Sequence, residues 1–107
     1  MSEPLAILTT VGTEEEANEL ANELVERRLA ACVNITRGVT SVFRWRDEIQ
    51  RDSEFLLIIK TMEDRFSDVS AAICELHSYE CPEILAISAR AGDFRFLDWL
   101  EESTRPV

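Results

Sequence analysis

The chain has 107 residues, of which 46% are hydrophobic and 30% are charged, and its 21 acidic and 11 basic side chains give a net charge of −10. This length predicts one folded domain that spans residues 1–107. The acidic balance excludes the basic surface that nucleic acids and anionic membranes require, so we expect neither as a partner. No apolar stretch has the length of a membrane span, and the N-terminal segment lacks the basic start of a signal peptide.

The three cysteines, Cys32, Cys74 and Cys81, are an odd number and contain no CxxC pair. A complete disulfide framework would need an even number of cysteines. We therefore expect reduced thiols and a cytoplasmic location.

The N-terminal quarter of the chain predicts a strand over residues 5–11 and then a helix. Thr13 and Glu16 have the spacing of a capping box at the start of that helix. Arg27 and Arg28 are expected in its last turn, where positive charge suits the helix dipole. The apolar positions recur with helical spacing on one face, and they are Ala17, Leu20, Ala21, Leu24 and Val25.

Residues 31–61 predict a long antiparallel hairpin, because two β-prone runs surround a polar break at residues 46–52. Gly38 indicates a bulge in the first arm. The second arm, residues 54–61, is apolar on both faces, whereas a strand with one face in water would alternate with polar residues. The residues on the two faces are Phe55, Leu57 and Ile59 on one, and Leu56 and Ile58 on the other.

A second helix is expected after the hairpin, with Thr61 and Asp64 framing its start. Its apolar face consists of Phe66, Val69, Ile73 and Leu76, and Pro82 requires the helix to end before residue 82.

The C-terminal part predicts a fourth strand over residues 84–90, also apolar on both faces, and a last helix over residues 94–103. Asp93 is the expected cap of that helix. Its inward side chains are expected to be Phe96, Leu97 and Leu100.

The element order is therefore β-α-β-β-α-β with an extra C-terminal helix, which is typical of an α+β, ferredoxin-like sandwich with a long hairpin between its second and third strands. In that plan both helices cover one face of a four-stranded antiparallel sheet. The strands here are apolar on both faces, and one short helix is left to cover the second. We therefore expect the chain to associate with copies of itself.

Four blocks of sequence resemble the CutA family of divalent-cation tolerance proteins: RLAACVN at residues 28–34, TSVFRW at 40–45, residues 54–61, and HSYECPEI at 77–84. The resemblance covers nearly the whole chain. It implies a homotrimer with a role in tolerance of copper and other divalent metals, and no enzymatic reaction. It also implies an architecture similar to that of the trimeric nitrogen-regulatory (PII) signalling proteins.

The chain departs from metal-binding members of that family. A cysteine on their first strand corresponds to Thr9 here, and their two adjacent histidines correspond to Leu76 and His77. Ser78 replaces the usual proline. The resemblance therefore carries over only His77 from the family's copper site.

The sharpest metal hypothesis is a site built from Cys74, His77 and Cys81. Cys74 and His77 have i, i+3 spacing on the second helix, and Cys81 follows in the turn after it. Two thiolates and an imidazole suit copper(I) or zinc. The alternative, which we favour, is two small hydrophobic cysteines and a structural histidine at a helix end.

A second hypothesis is a cleft between subunits, since the resemblance implies that residues of these blocks gather there. Lys60, whose charge is expected to have a partner among the glutamates, would form a pocket for a small ligand or an anion, with Trp45 and Tyr79 as its walls. The favoured alternative is an interface ion pair that fixes the trimer register. The residues concerned are Ser41, Trp45, Glu54, Lys60, Tyr79, Glu80 and Glu83.

Catalysis has little support, because the chain has one histidine and no GxSxG, HExxH or phosphate-binding glycine loop. We expect a non-enzymatic homotrimer that binds copper or another divalent metal ion and uses no organic cofactor. The alternative is a PII-like signalling or scaffold trimer that binds a small molecule or a protein at the clefts between subunits.

Overall fold

The computed structural model describes residues 2–106 as a mixed α+β domain with one four-stranded antiparallel sheet and three helices. The sheet order is β2-β3-β1-β4. The elements are β1 (Pro4–Val11), α1 (Glu14–Glu26), β2 (Cys32–Trp45), β3 (Glu48–Met62), α2 (Phe66–Leu76, after a 3₁₀ turn at Glu63–Arg65), β4 (Leu85–Ser88) and α3 (Phe94–Ser103). None of the helices in this part of the chain has the length and apolar composition needed to cross a membrane.

The hairpin is longer and tighter than the sequence predicts. Arg46 and Asp47 both have positive φ, at 51° and 66°, and Trp45 pairs with Glu48 around them. This is a two-residue turn of the kind that matches strand twist. The predicted polar break at residues 46–52 is therefore wrong beyond residue 47, because the rest of it belongs to β3. The predicted bulge is confirmed by a register shift between Thr36 and Val39, where Gly38 has a φ of 71°.

Only half of the predicted capping box forms at the start of α1. The Thr13 hydroxyl accepts a hydrogen bond from the Glu16 amide at 3.1 Å. The Glu16 carboxylate does not bond back to the Thr13 amide and instead accepts hydrogen bonds from Ser78, after α2. At the other end, the prediction that Arg27 and Arg28 lie in the last turn is wrong. The helix ends at Glu26, and Arg28 adopts a left-handed conformation, with a φ of 60°, as part of a Schellman motif.

The start of α2 also differs from its prediction. Thr61 is not a cap, because it belongs to β3 and its hydroxyl donates a hydrogen bond to the Leu29 carbonyl at 2.6 Å. Arg65 occupies the cap position without a side-chain bond. The predicted cap of the last helix is confirmed, because the Asp93 carboxylate accepts hydrogen bonds from the amides of Arg95 and Phe96.

The core lies between one face of the sheet and helices α1 and α2. Because strand residues alternate in direction, the odd-numbered positions of β1 and β3 point to this core. The side chains that are fully buried there are Ile7, Val11, Leu20, Leu24, Leu57, Ile59, Val69 and Ile73.

The second face of the sheet is largely uncovered. β4 pairs with β1 so that Leu85 lies opposite Leu8, and Ile87 opposite Ala6. Leu85 and Ile87 remain 56% and 49% exposed. α3 covers only the end of this face, where the Lys60 Nζ atom lies 6.0 Å from the centre of the Phe96 ring.

The inward face of α3 is only partly as predicted. Leu100 is 2% exposed and Leu97 is half-buried. Phe96 is 43% exposed, so the helix leaves an aromatic surface uncovered.

Two fully buried threonines give a matched test of the core. Thr9 has a buried hydroxyl without a hydrogen-bond partner, whereas Thr61 donates to Leu29. An unpaired buried hydroxyl costs about 1–3 kcal/mol. We expect Thr9→Val to raise the free energy of unfolding by about 1 kcal/mol and Thr61→Val to lower it by a similar amount. Denaturant unfolding at one fixed protomer concentration measures both, and equal effects of the two variants would contradict the assignment.

Candidate functional site

A cleft of about 820 Å³ opens beside the uncovered sheet face. One wall is the part of the β2–β3 hairpin that extends beyond the end of β1, and the other is the segment of residues 78–83 that follows α2. Its lining combines aromatic, acidic and small polar side chains and, among the described residues, no basic one. These residues are Thr10, Ser41, Val42, Phe43, Trp45, Gln50, Asp52, Glu54, Ser78, Tyr79, Glu80, Cys81, Pro82 and Glu83.

A hydrogen bond between Tyr79 and Glu54 joins the two walls. The Tyr79 hydroxyl donates to a Glu54 carboxylate oxygen at 2.6 Å. Glu54 is only 5% exposed, although it carries a charge. A short bond from a neutral donor to a carboxylate is a strong one, and it offsets part of the cost of burying that charge.

The environment of Tyr79 keeps its hydroxyl protonated. Burial raises the pKa of the Tyr79 hydroxyl, and the hydrogen bond to Glu54 and the negative charges of Glu54, Asp52 and Glu16 raise it further. The hydroxyl therefore acts as a donor throughout the physiological pH range. Gly12 leaves room for it, since a Cβ atom there would lie 3.3 Å from the Tyr79 oxygen.

Two further contacts hold the segment of residues 78–83 in place. The Glu16 carboxylate accepts hydrogen bonds from the Ser78 amide at 2.8 Å and the Ser78 hydroxyl at 3.2 Å. At the hairpin turn, the Arg46 guanidinium lies 3.1 Å from the Glu80 carboxylate. The cleft is thus fixed to both α1 and the hairpin.

His77 supports the same segment from within the protein. Its side chain is buried, its Nε2 donates to the Thr10 carbonyl at 2.6 Å, and its Nδ1 accepts the Tyr79 amide at 3.0 Å. Its ring also packs against the Tyr79 ring, with centroids 4.6 Å apart. Both ring nitrogens are therefore engaged in hydrogen bonds.

The structure does not bring Cys74, His77 and Cys81 together as a ligand set. Both cysteines are exposed, whereas His77 is buried. Over residues 2–106 no group of three or more His, Cys, Asp and Glu side chains is placed to hold a metal ion within one protomer. Metal binding by these residues stays a prediction.

Seven residues were predicted for a cleft between subunits; within this one protomer six of them line the cleft described above, and Lys60 does not. The six are Ser41, Trp45, Glu54, Tyr79, Glu80 and Glu83. Lys60 lies six residues along β3 from Glu54, close to Phe96 of α3. No carboxylate among the described residues is within 4 Å of its amine. The expected pairing of Lys60 with Glu54, Glu80 or Glu83 is therefore absent within this protomer, and a cleft without it does not favour an anion.

Several lining residues were not predicted. Phe43, Gln50 and Asp52 belong to the stretch of hairpin that extends beyond β1, and the alternation of β2 and β3 places them on the face of Trp45 and Glu54. That signal was available once the strand bounds were known. The sequence around Glu16 could not indicate that its carboxylate supports the cleft, because its partner Ser78 is 62 residues away.

The fold and the cleft define a small α+β domain with an open apolar sheet face and an acidic, aromatic cleft beside it. The family model for the CutA1 divalent ion tolerance protein matches residues 5–103. The chain belongs to this family.

Similar proteins cover nearly the whole domain. The chain is 46% identical over 98 residues to the divalent-cation tolerance protein CutA of Thermus thermophilus, and the match covers 92% of this chain and 95% of that protein. A solved structure of the divalent cation tolerance protein from Thermus thermophilus superposes with a TM-score of 0.94 at 44% identity, covering 95% of this chain and 99% of that one. The chain is also 40% identical to the chloroplastic protein CutA of Arabidopsis thaliana, covering 94% of this chain but 56% of that protein.

Tyr79→Phe tests the bond between the two cleft walls. It leaves the buried Glu54 carboxylate without this donor, so we expect the free energy of unfolding to fall by about 1.5–3 kcal/mol at pH 7. Because the pKa of Tyr79 is raised on folding, its contribution is fully present below about pH 10, the pKa in the unfolded chain, and is lost as the pH rises above it. Wild-type stability should therefore fall more steeply above pH 10 than that of the variant. Denaturant unfolding between pH 7 and 11 measures this, and parallel curves would contradict it.

Proposed function

We propose that this protein is a homotrimer that acts in divalent-cation tolerance by binding metal ions, chiefly copper. The element order β1-α1-β2-β3-α2-β4 and the sheet order β2-β3-β1-β4 support a ferredoxin-like plan for each subunit. The family supports the role in cation tolerance. The observation that carries the assembly is the uncovered apolar face of the sheet.

That face is too apolar for a surface that stays in water. Leu85 and Ile87 are about half exposed, and Phe43 and Trp45, on the same face of the projecting hairpin, are 38% and 39% exposed. Large apolar patches on soluble proteins mark sites of association. The chain has only α3 for this side of the sheet, so further copies of the chain are the economical cover.

Ile58→Asp tests the assembly. Ile58 is half-buried on the second face, opposite Leu8 of β1, and a carboxylate there cannot be buried between copies without a large cost. We expect monomers or aggregates in size-exclusion chromatography with light scattering. Val25→Asp is the control, because Val25 is 43% exposed on α1, away from the sheet, and it should leave the trimer intact. A wild-type mass of one protomer at micromolar concentration, or an unchanged trimer in Ile58→Asp, would overturn the proposal.

Copper binding is supported by the thiols rather than by the imidazole. Cys74 and Cys81 are both exposed, and thiolates are the ligands that copper(I) prefers. His77 would have to break a hydrogen bond to Thr10 or to Tyr79 before either nitrogen could bind a metal. Within residues 2–106 of one protomer, no three potential ligands are placed around a common point. We therefore propose that copper(I) is bound by fewer than three ligands of one protomer, or by thiols from different subunits.

Native mass spectrometry with copper(I) under reducing conditions tests this proposal. We expect stoichiometric copper on the wild-type trimer, loss of that copper in the Cys74→Ser/Cys81→Ser double variant, and retention in Cys32→Ser. His77→Ala should retain copper but unfold more readily, since two hydrogen bonds are lost. No copper on the wild type, or an unchanged stoichiometry in the double variant, would exclude the thiols.

A second candidate is a PII-like signalling or scaffold trimer that binds a small molecule or a protein in the cleft. Its support is the cleft itself, whose volume of about 820 Å³ lies in the range of small-molecule sites and whose lining combines aromatic walls with several polar and acidic side chains. We propose no enzymatic activity and no organic cofactor for either candidate. The three free cysteines support a reducing compartment, the cytoplasm.

A further inference from the structure

We propose that the cleft binds a small organic cation, an amine or guanidinium compound with an apolar stem, between Trp45 and Tyr79 and over the Glu54 carboxylate. This inference rests on the second candidate function, a cleft that binds a ligand, and is independent of copper binding. Three observations support it: the charge of the cleft, its aromatic walls and the spacing of its acids.

The charge of the cleft is negative and mostly uncompensated. It contains four carboxylates, those of Asp52, Glu54, Glu80 and Glu83, and only Glu80 has a basic partner within 4 Å in residues 2–106, which is Arg46. Glu54 is the decisive group, because it is the buried one, with an exposure of 5%. Its contact within this part of the chain is the neutral hydroxyl of Tyr79.

A buried carboxylate without a cation is costly. A neutral donor satisfies one lone pair but leaves the charge uncompensated. A cation that enters the cleft would be attracted to the Glu54 carboxylate and would also lower the free-energy cost of burying that charge. The same charge repels anions and gains nothing from neutral compounds, so the chemistry of the cleft selects for positive charge.

The aromatic walls of the cleft suit both the apolar stem and the charged group of an organic cation. Trp45, Phe43 and Tyr79 line it and are each between 37% and 39% exposed. Aromatic faces attract amines and guanidinium groups through cation–π contacts. The Arg46 guanidinium lies 5.6 Å from the centre of the Trp45 ring, within the range of a cation–π interaction.

The spacing of the acids argues against a bare metal ion as the occupant. A divalent metal needs several ligand atoms within about 2.0–2.6 Å of one point. The acids of the cleft form no such group among the residues that the structure describes, although the cleft holds four of them. Charges spread around a space of about 820 Å³ fit a ligand that carries its charge on an extended frame.

Agmatine is a suitable probe, because it joins a guanidinium group to an amine through four methylene groups. Isothermal titration of the wild-type protein with agmatine, in low salt and with EDTA to remove trace metals, should show saturable binding at one site per protomer. N-butylurea, which is planar and uncharged, and succinate, which is anionic, should not bind. Binding should weaken as salt is added.

Three variants connect that binding to the cleft. Glu54→Gln removes the charge but keeps an oxygen that can accept the Tyr79 hydroxyl, and it should weaken agmatine binding at least about tenfold. Trp45→Leu removes an aromatic wall and should weaken it about fivefold. Glu26→Gln changes the net charge by the same amount on the exposed end of α1, and it should have little effect. Trp45→Leu remains informative if Glu54→Gln does not fold by circular dichroism.

The outcomes separate this inference from the copper proposal. Agmatine binding that is lost in Glu54→Gln supports the inference whatever copper does. No agmatine binding, equal binding of N-butylurea, or equal weakening by Glu26→Gln overturns it, even if the thiols bind copper. If a basic side chain of a neighbouring copy fills the cleft instead, agmatine does not bind and Glu54→Gln weakens the trimer, which also overturns it.

Discussion

The pairing of β2 with β3 is the feature on which the rest of the structure depends. These strands pair from Cys32 and Lys60 to Trp45 and Glu48, whereas β1 reaches β3 only as far as Phe55 and β4 has four residues. Residues 48–54 of β3 therefore have β2 as their partner strand and extend beyond the rest of the sheet. This difference in strand length produces both the projecting wall of the cleft and apolar surface that the short helices cannot cover.

The opposite wall of the cleft depends on where α2 ends. Pro82 would have allowed the helix to continue for several residues past Leu76, but His77 is extended and its two ring nitrogens bond to β1 and to Tyr79. The segment of residues 78–83 is then held by contacts to Glu16, Glu54 and Arg46. A histidine in this position acts as a support between β1 and the cleft, which is why its burial fits a structural role better than a metal ligand in the protomer.

Much of this architecture could be predicted because its signals are local. The periodicity of α1, the Asp93 cap and the bulge near Gly38 each depend on residues within one turn or one strand. Alternation in β3 indicated two apolar faces, and the structure places Leu57 and Ile59 in the core and Leu56 and Ile58 half-buried on the other face. The same alternation placed Ser41, Trp45 and Glu54 on one side of the hairpin.

The features that could not be predicted depend on distant partners or unusual backbone. The turn at Arg46 and Asp47 requires two left-handed residues that are usually glycine or asparagine, so these two residues carry no turn signal. Thr61 has the spacing of a helix cap, but a carbonyl 32 residues away competes for its hydroxyl. Lys60 shares a face with Glu54, yet six residues of extended strand separate them by about 20 Å.

The separation of Lys60 from Glu54 has a consequence for function. Each is an uncompensated charge in the described protomer, and Glu54 is buried in a domain whose core is small. Such a domain has only a few kcal/mol of stability to offset the burial of a charge. Our proposal places the compensation of Glu54 outside the protomer, in a cationic ligand bound in the cleft. Because the cleft lies beside the apolar face proposed to bind other copies, the proposed assembly surface and the proposed ligand site are adjacent on the protomer. A cation that binds the assembled form more tightly than the single protomer would stabilise the assembly, because a ligand stabilises the state that it binds.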